Sequence, residues 1–263
     1  MALEVVEVLA AYGRVTALRG LSARFAPGRL TAIVGPNGCG KSTLLKTIMG
    51  FVPVLKGEIW LNGRAIRSME RRALARQVAY LPQQHYSPDY MTLGELIALA
   101  GYARYSYFGG PTERDQGLFR DALAAVGLSD LAHRQVNALS GGQKQRAWIA
   151  LVLAQDAELV LMDEPVNHLD MKYQYATLEL VRDLTAKHGK TVVVVLHDLN
   201  LAAAFADDVI MLRDGRAVAS GPVTDTINRS NVADVFDVDA EVYSRNGRMV
   251  CLPRYAPEQS GPA

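Results

Sequence analysis

Apolar positions along the chain follow two periods, and the changes between them outline the elements. Near the N-terminus the period is two. Residues 3–8 read as a first strand, Tyr12 enters a Tyr-Gly turn, and 21–25 alternates apolar with polar before a Pro27-Gly28 turn. Leu30–Val34 is apolar almost without interruption, the pattern of a strand buried on both faces. Residues 44–49 read as a helix. Residues 57–61, Asn62-Gly63 and 64–66 predict a β-hairpin, so an antiparallel sheet is expected beside the strand-and-helix core. Residues 69–76 predict a basic helix, and Val78–Leu81 a short buried strand stopped by Pro82.

From 92 to 133 the period becomes helical. Leu93, Leu96, Ile97 and Ala100 share one face, and Phe119, Leu123 and Val126 share another. Gly109-Gly110-Pro111-Thr112 separates the two, with Thr112 placed to cap the second. Residues 91–156 are expected to form a helical subdomain inserted into an α/β core. Ser140 caps a predicted helix over 141–155, and 158–162 is a strand ending in Asp163-Glu164. Residues 173–187 predict an amphipathic helix with Tyr175, Leu178, Val181 and Leu184 inward. The β-branched run 191–196 predicts a central parallel strand with His197 at its carboxyl end. Leu199–Phe205 follows as a helix, and 209–212, Asp214-Gly215 and 216–220 as a hairpin. Residues 222–263 form a short C-terminal extension, with a helix at 232–236, strands at 241–243 and 249–252, and a frayed end over 253–263. A single domain over 1–263 is expected.

Composition narrows the function. With 49% hydrophobic and 21% charged residues, the chain is an ordinary globular protein. A net charge of +1 offers no basic excess for nucleic acid, so no nucleic-acid partner is expected. Cys39 and Cys251 have neither metal-ligand nor redox spacing and fit free thiols in a reducing compartment. The apolar runs are too short to cross a bilayer, so any membrane role is expected to pass through a partner.

The strand at Leu30–Val34 opens into Gly35, Pro36, Asn37, Gly38, Cys39, Gly40, Lys41, Ser42 and Thr43, and a helix follows. Strand, Gly-rich G-x-x-x-x-G-K-S loop and helix make a phosphate cradle. Glycines let backbone N–H groups converge on phosphate oxygens, and the helix N-terminus adds about half a positive charge. Lys41 can reach the β- and γ-phosphates, and Ser42 can take Mg²⁺. ATP and Mg²⁺ are the expected cofactors. Cys39 lies at that helix N-terminus, which is expected to lower its pKa, although a small loop filler is its simpler role. A second Ser-capped, Gly-rich helix start stands at Ser140, Gly141, Gly142 and Gln143. One triphosphate has no use for two cradles in one chain unless the second serves another chain. Leu159–Asp163 delivers Asp163 and Glu164 to a strand's carboxyl end, where open α/β sheets bind ligands.

P-loop, Leu-Ser-Gly-Gly-Gln and acidic strand end together resemble the ATP-binding-cassette (ABC) ATPases. The resemblance covers nearly the whole chain and implies a P-loop NTPase (RecA-like) α/β core with an antiparallel β-subdomain and an inserted α-helical subdomain. It implies a head-to-tail dimer of two copies, in which the signature residues Ser140 to Gln143 act on the partner's ATP. Asp163 resembles the Walker B aspartate and, with Ser42 and Gln83, the Mg²⁺ ligand set. Glu164 resembles the catalytic carboxylate, His197 the switch histidine, Gln83 in Leu81-Pro82-Gln83 the Q-loop glutamine, and Asp170 the D-loop aspartate. Tyr12 occupies the place of an adenine-stacking aromatic. Where the family often has Thr, this chain has Val166.

Further stretches resemble the iron(III)-siderophore, haem and cobalamin importer branch: Ala79-Tyr-Leu-Pro-Gln83, Val195-Leu-His-Asp-Leu-Asn200 and Met249-Val-Cys-Leu252. Leu139-Ser-Gly-Gly-Gln-Lys-Gln-Arg-Ala147 is nearest to the siderophore group (ferric dicitrate, ferrichrome or enterobactin-like). The resemblance implies an ATPase on the cytoplasmic face of the inner membrane, bound to separate integral-membrane permease subunits and served by a periplasmic or lipoprotein substrate-binding protein. Haem or cobalamin import, and a non-transport ABC ATPase, are its alternatives. Residues 83–108 are expected to line the permease groove, with Tyr102, Tyr105, Tyr107 and Phe108 as candidate anchors. His85, His133, His168 and His188 show no ligand spacing.

Overall fold

The computed structural model describes residues 1–84, 86–106, 109–167 and 169–254. His85, Tyr107, Phe108, His168 and the expected frayed end from 255 onward lie outside these residues. In chain order the elements are β1 (Leu3–Tyr12), β2 (Val15–Phe25), β3 (Leu30–Val34), α1 (Lys41–Ile48), β4 (Val54–Leu61), β5 (Arg64–Ala65), α2 (Arg71–Gln77) and β6 (Val78–Leu81). Then come α3 (Leu93–Ala98), α4 (Glu113–Ala125), α5 (Gly141–Ala154), β7 (Leu159–Asp163), α6 (Met171–Ala186), β8 (Thr191–Val195) and α7 (Leu199–Phe205). The chain continues through β9 (Asp208–Arg213), β10 (Arg216–Pro222), α8 (Val223–Thr226), α9 (Arg229–Phe236), β11 (Ala240–Arg245) and β12 (Arg248–Pro253).

A six-stranded sheet is ordered β10-β9-β3-β8-β7-β6, parallel throughout except for the edge strand β10. A four-stranded antiparallel sheet, β2-β1-β4-β5, stands beside it, and β11 pairs with β12 alone. Every residue of β3, β7 and β8 is buried because the two faces of these strands feed two cores. Ile33, Leu159, Leu161, Val193 and Val195 join Leu44, Leu45 and Ile48 of α1 and the antiparallel sheet. Their neighbours Ala32, Val34, Val160, Met162, Val192 and Val194 join the inner faces of α3 to α7. Each such side chain contributes about 1.5–3 kcal/mol by leaving water, and a one-residue register slip would exchange the two sets.

Local chemistry explains the joints. Asn62 and Gly63 (φ 49° and 74°) and Asp214 and Gly215 (φ 49° and 76°) take the left-handed pair of conformations that a two-residue hairpin requires. Thr92, Thr112 and Ser140 each form a reciprocal capping box with the side chain three residues on, starting α3, α4 and α5. Arg104 links two of these helices. Its Nε donates to Asp115 Oδ1 at 2.8 Å in the first turn of α4, and its guanidinium also reaches the carbonyls of Ala154 and Gln155 at the end of α5.

Two expectations need correction. The helical period over 92–133 does not persist: α3 ends at Ala98 in a 3₁₀ turn, Leu99–Gly101, where Tyr105 packs against Gly101 so closely that a Cβ there would lie 2.6 Å from its hydroxyl. Tyr175 is not inward. Asp170 starts α6 earlier than the pattern suggested, and the buried stripe holds Thr177, Leu178, Val181 and Leu184, leaving Tyr175 exposed and edge-on to Phe205. Tyr12 closes β1 and enters the turn at Gly13 as expected, paired with Val15 across Gly13 and Arg14.

Candidate functional site

The strand order brings the carboxyl ends of β3, β8, β7 and β6 to one rim. The Gly-rich loop follows β3, His197 follows β8, Asp163 and Glu164 close β7, and Gln83 follows β6. Four stretches far apart in sequence therefore meet where parallel α/β sheets bind ligands.

The loop is shaped by its glycines. Gly35 has φ 152°, and a Cβ there would lie 2.2 Å from the carbonyl oxygen of Leu212. Gly40 (φ 106°) is the left-handed residue from which α1 starts. Lys41 is 4% exposed, and its Nζ donates to the carbonyls of Gly35 at 2.7 Å and Pro36 at 2.9 Å. Cys39 is buried in the loop, and burial pushes its thiol up from the ordinary value against a smaller pull from Lys41. The expected lowering at the helix N-terminus is overturned because loss of water outweighs it.

Ser42 Oγ donates to Asp163 Oδ1 at 2.8 Å. Asp163 is 1% exposed, and its Oδ2 has no hydrogen-bond partner among the described residues. Burial pushes this carboxyl up, the Ser42 hydroxyl opposes the shift, and the Glu164 charge adds to it. A buried carboxylate with one oxygen on a hydroxyl and the other unpartnered is a fitting pair for a hard cation. The folded-state pKa lies above the unfolded one, so this carboxyl's contribution to stability is fully present below about pH 4 and is lost as pH rises through the folded value. Asp163→Asn is expected to remove this fall. Melting temperature against pH checks it, and an unchanged slope would contradict it.

Glu164 has φ 54°, a left-handed conformation that costs a non-glycine residue about 1–2 kcal/mol. Its side chain is 8% exposed. Three groups hold it: Gln83 Nε2 donates to Oε2 at 2.6 Å, Asn167 Nδ2 to Oε2 at 2.8 Å, and His197 Nε2 lies 2.7 Å from Oε1. Gln83 thus meets Glu164, while Ser42 and Asp163 meet each other. Asn167 belongs to the stretch 167–170 that resembles the D-loop, but its bond to Glu164 is a contact that sequence reading did not find. Its spacing of three from Glu164 was the available signal, since the same turn also joins Asn167 N–H to Glu164 O at 3.2 Å. Gln145 of α5 donates to the carbonyl of Pro165, tying that helix to the acidic strand end.

Ser140 is exposed, and its side chain accepts from Gln143 N–H at 3.3 Å while Gln143 Oε1 accepts from Ser140 N–H at 2.9 Å. Gly141, Gly142 and Gln145 line a cleft of about 560 Å³ with Gln83, Glu164, Asn167 and Asp170. Asp170 caps α6 through Tyr173 N–H at 3.1 Å. Tyr12 is half-exposed and Tyr102 largely exposed, while Tyr105 packs inside its own subdomain with its hydroxyl on Ala98 O at 2.5 Å. His133 and His188 are exposed.

Comparison with known proteins adds to this geometry. The family model described as "ABC transporter" matches residues 18–167. The iron(3+)-hydroxamate import ATP-binding protein FhuC of Bacillus subtilis (strain 168) is 37% identical over 243 residues, covering 92% of this chain and 90% of the relative. The hemin import ATP-binding protein HmuV of Bradyrhizobium diazoefficiens is 39% identical over 251 residues, covering 92% and 91%. Among solved structures, an ATP-binding cassette seen as a post-hydrolysis dimer bound to ADP and Pi is 28% identical, with a TM-score of 0.73, covering 84% of this chain and 98% of that one.

Proposed function

Because the chain belongs to the ABC transporter family, we propose that it is the ATP-hydrolysing subunit of a bacterial importer that takes up an iron(III)-siderophore complex through a separate permease. The observation that carries the hydrolytic part is the rim itself: Ser42 on Asp163, and Glu164 held between Gln83, Asn167 and His197. The loop amides of Gly35 to Thr43, the N-terminus of α1 and Lys41 bind the triphosphate, and Tyr12 stacks on the adenine. Ser42 and Asp163 hold Mg²⁺, with Gln83 beside them. Mg²⁺ supplies charge neutralisation at the phosphate oxygens. Glu164 orients the attacking water and takes up its proton, and His197 keeps that carboxylate in place and faces the γ-phosphate.

Ser140, Gly141, Gly142 and Gln143 of the partner complete the site across a head-to-tail dimer, with Asp170 at the interface. Two copies close on two Mg-ATP, pull on the permease, and reopen after hydrolysis. The groove between the core and the helices of 91–156 receives the permease, with Tyr102 at its edge. No helix among the described residues is long and apolar enough to cross a membrane, and the proposed location is peripheral, on the cytoplasmic face of the inner membrane. A periplasmic or lipoprotein binding protein delivers the cargo.

The iron-hydroxamate relative favours a ferric siderophore, and the hemin relative supports haem as a second reading. Reconstitution with its permease, in vesicles offered ferric siderophores, haem and cobalamin, tests the choice. ATP-dependent uptake of a ferric siderophore is expected. Uptake of haem or cobalamin alone would overturn the cargo.

A further inference from the structure

Two stretches that stood out only by their resemblance, Val195-Leu-His-Asp-Leu-Asn200 and Met249-Val-Cys-Leu252, are bonded to each other. Asn200 Nδ2 donates to the carbonyl of Cys251 at 3.1 Å, and Cys251 N–H donates back to Asn200 Oδ1 at 2.9 Å. Cys251 already pairs with Val242 of β11. The Asn200 amide therefore stands in for a strand at the other edge of β12. Cys251 is 7% exposed and belongs to the same core as α7.

The bond leads straight to the catalytic rim. Asn200 N–H donates at 2.7 Å to Asp198 Oδ1, the cap of α7. Asp198 directly follows His197, whose Nε2 lies 2.7 Å from Glu164. At the far end of α7, Arg182 Nη1 donates to Phe205 O at 3.0 Å. A seven-residue helix is marginal by itself. This one is pinned at both ends, and the pin nearest His197 is the C-terminal hairpin.

We propose that the β11–β12 hairpin is a brace that holds the His197 turn against Glu164 through Asn200, which makes Asn200 a positioning residue for ATP hydrolysis. The proposal rests on the hydrolytic reading of that rim. The groups assigned to nucleotide binding lie on the Gly-rich loop, α1 and Tyr12 of β1, none of them on α7, so loosening α7 affects turnover and spares binding.

The test compares N200A, N200D and R245A in the full chain. Arg245 is an exposed residue of the same hairpin. N200A is expected to lower kcat roughly tenfold, because small misplacements cost rate, with KM for ATP and the affinity for a non-hydrolysable analogue within about twofold of wild type. N200D keeps the acceptor for Cys251 N–H but sets a carboxylate against Cys251 O, and should lose at least as much. R245A should keep the wild-type kcat. Wild-type kcat in N200A, or an equal loss in R245A, would overturn the brace. So would kcat and nucleotide affinity falling together in step with melting temperature. Glu164→Gln runs in the same assay. Normal turnover there means that the hydrolytic reading has failed and the brace with it, whereas normal turnover in N200A alone removes only the brace.

Discussion

Glu164→Gln is expected to cut ATP turnover by roughly 10²–10⁴-fold, the usual reach of a general base, while nucleotide binding persists. The substitution keeps the size of the side chain and removes its charge. Gln83 Nε2 and Asn167 Nδ2 both donate to the carboxylate, and His197 Nε2 lies against its other oxygen. An amide has one oxygen and one NH₂, so it cannot accept on both sides, and it cannot take a proton from water. Lys41, Ser42 and the loop amides are untouched. The variant should accumulate as a nucleotide-bound dimer in Mg-ATP, seen as a doubled mass on light scattering, with phosphate release near background. Near-normal phosphate release would remove Glu164 from its role.

Ser140→Arg should stop hydrolysis for a different reason. Ser140 caps its own helix through Gln143, and losing that cap costs about 1 kcal/mol, too little to unfold a protein of this size. The larger effect is at the dimer. A long cation replaces a hydroxyl at the Gly-rich turn proposed to meet the partner's γ-phosphate. Turnover is expected to fall by at least about 10²-fold, the loss typical of removing a preorganised donor from developing charge. ATP binding by the single chain should stay close to wild type in a fluorescent-nucleotide titration. Full activity would contradict a shared site.

The parts of this molecule that were legible in the sequence are those whose chemistry is local. Leu30–Val34, Leu159–Asp163 and Thr191–Val195 read as buried parallel strands because neither face can be polar. Asn62-Gly63 and Asp214-Gly215 announced their hairpins because other residue types resist two left-handed conformations in a row. Ser140, Thr112 and Asp163 were found by residue type at a helix or strand end. The order β3-β8-β7-β6 could not be read, because pairing partners lie far apart along the chain and no residue type encodes the neighbour. Asn167 was legible as part of a D-loop-like stretch but not as a partner of Glu164, for a related reason. Its bond to Glu164 depends on the left-handed backbone at Glu164, which sequence does not declare. Cys39 was misjudged because a helix N-terminus is visible in sequence while the depth of burial is not. The Asn200–Cys251 bond joins residues fifty-one positions apart and emerges only from the packing of the hairpin on α7.

The central claim is that each ATP site is built from two copies of the chain. Mixing the Ser140→Arg and Glu164→Gln proteins tests it most directly. In a mixed dimer, one site combines the intact Glu164 of the first variant with the intact Ser140 of the second, and the other site carries both defects. Each variant alone should be inactive, and the mixture should regain Mg-ATP hydrolysis in proportion to the mixed dimers formed. A mixture as inactive as its components, with mixed dimers demonstrably present, would contradict the shared site.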